Sequence, residues 1–86
     1  MSDSTNNFEI NYSSLILGFS SAALSYLGYI PSNEVKVDLN LAKQNIDIIA
    51  LIKDKTVGNL TKEEQSLTEN ILADLRMKYV EKLNNK

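Results

Sequence analysis

The chain has no cysteine, no histidine and no tryptophan, one proline and three glycines in 86 residues. Without cysteine there is no disulfide, no thiolate metal site and no thiol nucleophile. Without histidine the usual general base and the commonest metal ligand are both missing. Scarce proline and glycine count against a loop-rich β fold and against a long linker. Charge is missing in one place: from Ile10 to Asn33 there is no acidic or basic residue. Asp3 and Glu9 are the only charges before Glu34, and every lysine and the arginine follow it. A secretory leader needs a positive start, which "MSDSTNNFEI" lacks. A membrane span of about 20 apolar residues would not be broken by so many serines, tyrosines and glycines, and basic flanks are absent on its N-terminal side.

The remaining composition is that of a globular domain: 43% hydrophobic, 23% charged and a net charge of −2. This length allows one domain with one modest core. Nucleic-acid binders normally show a basic surplus or stripe, which the chain as a whole does not have.

Residues 1–10 read as a polar disordered tail, and residues 11–84 as a single domain of three helices. From Tyr12 to about Tyr29, Tyr12, Ile16, Phe19, Ala23, Leu27 and Ile30 recur at helical spacing and form a bulky face. Ser14, Gly18, Ser21 and Ser25 lie opposite, small and uncharged, and Gly28 and Pro31 close the helix. Small residues at such spacing let two backbones approach closely; the plainer alternative is that these serines face water.

In "NEVKVDLNLA", Val35, Val37, Leu39 and Leu41 alternate, which allows a short extended arm through Val37. Asp38 then suits the N-cap of a second helix running to about Val57, with Gly58 at its left-handed C-terminal position. Leu39, Leu41, Ala42, Ile46, Ile48, Ile49 and Ile52 cover about half its girth, wider than the roughly 100° stripe of a surface helix. Asn45 falls inside that arc, either as a buried amide that fixes register or at an edge in reach of water.

Thr61 with Glu64 forms a capping box that opens the third helix. Leu67, Ile71, Leu72, Leu75, Tyr79 and Leu83 make its main face; Ala73, Met77 and Val80 make a smaller strip on the other side. Asp74 and Lys78 are spaced for an ion pair.

Chemistry is thin. Asp47, Asp54, Glu63, Glu64, Glu69, Asp74 and Glu81 read as solvated charges, because a carboxylate pair needs burial or crowding to split its pKa values. Arg76, Lys78, Lys82 and Lys86, interleaved with Tyr79, make a basic end that also suits the negative end of a helix dipole. No calcium loop or phosphate-cradling glycine motif is present.

All three helices thus carry more uncharged surface than one three-helix packing can cover. The expectation is an all-α, three-helix hairpin-like bundle, completed by homo-oligomerisation. The expected interface residues are Ser14, Gly18, Ser21, Ser25, Ala73, Met77 and Val80. The protein reads as a non-catalytic interaction or scaffolding module in the cytoplasm, without cofactor or metal, partnered by itself and by a further protein. The alternatives are a small acidic regulator acting on a partner protein or nucleic acid, and a membrane-peripheral protein.

The stretch from Ile10 to Leu83 resembles the bacterial family known as domain of unknown function 1844. The resemblance is carried most specifically by "NLAKQNIDII", "KTVGNLTKEE" and "LRMKYV". It implies a small, all-helical, bacterial cytoplasmic protein, and it implies no activity, cofactor or catalytic residue.

Overall fold

A computed structural model describes residues 11–30 and 36–85. The tail expected over residues 1–10, Pro31 and Val35 lie outside the described residues. The fold is all-α: α1 (Tyr12–Leu27), α2 (Leu39–Lys55) and α3 (Lys62–Asn84), each touching the other two and the first pair most extensively.

Each helix starts where a polar side chain can satisfy a backbone N–H that the helix leaves unpaired. Asn11 caps α1: its Oδ1 accepts from the Ser14 N–H at 2.9 Å, and its own N–H donates to Ser14 Oγ at 3.0 Å. Asp38 caps α2 by accepting from the Leu41 N–H at 3.0 Å. Thr61 and Glu64 form the expected reciprocal box on α3, with both bonds at 3.0 Å.

The ends differ. At the close of α1, Gly28 adopts φ +92°. The Gly28 N–H donates to the Ser25 carbonyl and the Tyr29 N–H to the Leu24 carbonyl, the bond pair of a left-handed C-terminal cap. A Cβ on Gly28 would stand 3.1 Å from Val37 Cγ2, so the turn closes tightly on the chain entering α2. The Asp38 N–H donates to the Tyr26 carbonyl at 2.9 Å and fixes that entry. α2 stops at Lys55, two residues short of the expected end. The Thr56 hydroxyl donates to the Ile52 carbonyl at 2.7 Å, so Thr56, not a glycine, caps the helix. Gly58, at φ +88°, belongs to the following turn and not to the helix cap.

The core is small. Ile16, Ala23 and Leu27 from α1, Ala42, Ile46 and Ile49 from α2, and Leu72 and Leu75 from α3 are buried. Each fully buried large aliphatic side chain contributes about 1.5–3 kcal/mol. Two polar residues join them, Ser20 and Thr68. Thr68 is wholly buried and satisfied on both sides: its hydroxyl donates to the Glu64 carbonyl at 2.8 Å and lies 2.7 Å from Tyr12 Oη. A threonine hydroxyl has one proton. That proton goes to Glu64, so Tyr12 is the donor to Thr68. Ile30, expected on the bulky face of α1, and Leu83, expected on the main face of α3, are 37% and 41% exposed. Ile30 lies past the end of α1 and Leu83 in the last turn of α3, where there is little left to cover them.

Candidate functional site: the uncharged face of α1

Helix α1 contains no acidic or basic residue over its 16 positions, including both end turns. Only part of it is buried. Ile16, Ser20, Ala23 and Leu27 face the core, while Leu15 and Leu17 are 42% and 51% exposed. A solvent-facing helix surface ordinarily carries charge; this one presents leucine, glycine, alanine and serine.

The four residues singled out on α1 have different surroundings. Ser14 is exposed and belongs to the N-terminal capping box. Gly18 is exposed, and a Cβ built on it would have no neighbour within 4 Å. Ser21 is exposed and Ser25 half-buried. An open groove of about 450 Å³ runs beside this face, lined by Ser14, Leu15, Gly18, Phe19, Ala22 and Asn45. It therefore brings Ser14 and Gly18 together, but Ser21 and Ser25 are not part of its lining. Phe19, read from sequence on the bulky face of α1, is half-buried: it packs against the core and also lines the groove.

Asn45 is half-buried at the α2 side of the groove, and its Nδ2 donates to the Leu41 carbonyl of its own helix at 2.8 Å. The amide is thus at an edge and is not a buried register pin. Every described residue lining the groove is uncharged. On α3, Ala73, Met77 and Val80 are all exposed, Met77 at 66% and Val80 at 52%. They lie on the side of the helix away from Thr68, Leu72 and Leu75.

The charged residues at the other end of the bundle are engaged in holding it together. Tyr29, just past α1, donates from its hydroxyl to Glu81 Oε1 on α3 at 2.5 Å. Lys82 Nζ stands 4.6 Å and Lys78 Nζ 5.6 Å from the centre of the Tyr29 ring, within cation–π range. Lys78 also pairs with Asp74 at 2.6 Å. The Glu81 carboxylate that accepts the Tyr29 proton raises the phenol pKa above its ordinary 10.0, chiefly by favouring the protonated form. Lys43 is raised above 10.5 by its hydrogen bond to Asp47 at 2.8 Å.

Of the basic cluster read at the C-terminal end, Lys78 and Lys82 are thus directed at Tyr29; Lys86 lies outside the described residues. Of the carboxylates, Glu64 serves a cap, Glu81 binds Tyr29, and Asp47 and Asp74 pair with lysines. Among the described residues there is no group of three or more acidic side chains placed to hold a metal ion. No helix among them is long and apolar enough to cross a membrane.

The family model described as Domain of unknown function (DUF1844) matches residues 9–81, and the chain belongs to that family. Neither a curated protein nor a solved structure matches the chain.

Proposed function

We propose that this member of the domain of unknown function 1844 family is a non-catalytic helical module that works by associating with copies of itself. The observation that carries the reading is the uncharged outer face of α1 with the groove beside it. Eight hydrophobic side chains form the core of the described residues, while ten large apolar ones remain exposed. A core of that size leaves a small domain marginal on its own, and association is the usual remedy. Apolar surface beyond a few hundred Å² on a soluble domain ordinarily marks an interface, and the commonest interface is between identical chains.

The Ala73, Met77 and Val80 strip lies on a different helix from the groove. In an assembled pair it is repeated on both copies, available to a further partner protein, which gives the module its scaffolding character. The absence of cysteine fits work in the cytoplasm.

Light scattering across a concentration series tests the reading. The expected mass is a multiple of 9.6 kDa. Leu15→Glu puts an unpaired charge at the groove, where burial against a partner is strongly unfavourable, and returns the chain to single-copy mass with its helicity kept. A parent protein of single-copy mass at every concentration defeats the reading.

A further inference from the structure

We infer that the groove beside α1 is filled by α1 of a second copy, running antiparallel and crossing at Gly18 on a two-fold axis. The inference rests on the self-association reading above and adds the occupant, its direction and its centre.

The first support is Gly18 itself. Glycine is among the weakest helix formers, and at a helix interior it needs a reason. None is found among the described residues of the protomer. Gly18 is not at positive φ, and a Cβ there would meet nothing within 4 Å. The missing side chain therefore leaves room outside the protomer, where a backbone could come close.

The second support is electrostatic. The groove is lined by Ser14, Leu15, Gly18, Phe19, Ala22 and Asn45, which offer a charged occupant no partner, and burying an unpaired charge is prohibitive. The face that an occupant lays into the groove must therefore be uncharged. Among the helices of this chain α2 carries Lys43, Asp47, Asp54 and Lys55 on its exposed side, and α3 is charged along its length; α1 alone carries no charge on any side.

The third support is self-complementarity. A two-fold contact sets the same surface against itself. With the axis at Gly18 and antiparallel helices, residues equally far before and after Gly18 meet. Leu15 then faces Ser21, and Ser14 faces Ala22, so the exposed leucine of the groove meets a small side chain. The antiparallel direction also places opposite ends of the two helix dipoles side by side.

Single cysteines test the geometry, since the parent has none. Gly18→Cys is accommodated within the protomer, and across the axis its two copies come within the roughly 7 Å between Cα atoms that a disulfide needs. Ser25→Cys lies seven residues along, on the same face of α1. In the antiparallel pair its two copies are about 21 Å apart at 1.5 Å per residue; in a parallel pair they would be adjacent. Light scattering on the parent and gel mobility after mild oxidation are read together, with circular dichroism confirming that each variant is helical.

The expected result is a parent of two-copy mass, a disulfide-linked pair from Gly18→Cys, and none from Ser25→Cys or Met77→Cys. A size-tagged Leu15→Cys chain mixed with Ser21→Cys should give the mixed disulfide, a second route that keeps Gly18 in place. A two-copy parent that links through Ser25→Cys, or through Met77→Cys and not through residue 18 or the 15–21 pair, keeps self-association and overturns this geometry. A parent of single-copy mass overturns both.

Discussion

Tyr12 in the first turn of α1 donates its phenol proton to Thr68 of α3 at 2.7 Å, across 56 residues of sequence. It supplies the one hydrogen bond from outside α3 that reaches this wholly buried threonine among the bonds described. Tyr12→Phe keeps the ring and removes that donor, while Thr68 keeps its bond to the Glu64 carbonyl. The expected loss is about 1 kcal/mol, the usual net value of a single hydrogen bond. It is read as a lower denaturant midpoint with an unchanged slope. An unchanged midpoint would mean that the bond does not join α1 to α3 in solution.

Thr61→Ala removes the acceptor for the Glu64 N–H at the start of α3. The expected destabilisation is about 1 kcal/mol by the same measurement. A variant as stable as the parent would show that α3 does not begin at this cap.

Tyr29 and Glu81 give the fold an alkaline limit. The folded-state pKa of Tyr29 is raised above 10.0 because the Glu81 carboxylate accepts its proton. A raised folded-state pKa means that the stabilisation is fully present below about pH 10, the unfolded value. It is lost as pH rises through the folded value, when a phenolate would stand against a carboxylate. Denaturation midpoints followed from about pH 8 to 12 should fall more steeply for the parent than for Tyr29→Phe, since the other alkaline groups are common to both. Parallel curves would contradict the pairing.

The helices and their faces were legible where one segment of sequence contains the whole signal. Asp38 and the Thr61–Glu64 box cap helices as their spacing implies, and Asp74 pairs with Lys78 at i,i+4. The first helix's own cap was less legible: Asn11 and Ser14 close a reciprocal box with serine where glutamate or glutamine is usual. Gly58 misled, because a glycine after a helix suggests its end, whereas the Thr56 hydroxyl had already closed α2. Thr68 escaped the expected core because a polar residue on an apolar face gives no sign of burial until its partner, Tyr12, is known. The groove was illegible for a related reason. It exists only where α1 and α2 lie beside one another, so Asn45 and Ala22 line it together through a packing that no local pattern encodes. The Tyr29 contacts with Lys82, Lys78 and Glu81 likewise depend on long-range packing, here of the end of α1 against α3.

The central claim is that the small, uncharged face of α1 meets another copy, and the mass of Gly18→Leu by light scattering tests it most directly. Within the protomer a Cβ at position 18 meets nothing within 4 Å, and replacing glycine with leucine favours the helix by up to about 1 kcal/mol. In a close interface the added side chain instead overpacks, at roughly 1–3 kcal/mol. The account predicts a fall from the parent's multiple-copy mass to 9.6 kDa with helicity retained. An unchanged mass together with a higher thermal midpoint would contradict it, placing Gly18 in water and any self-association on another face.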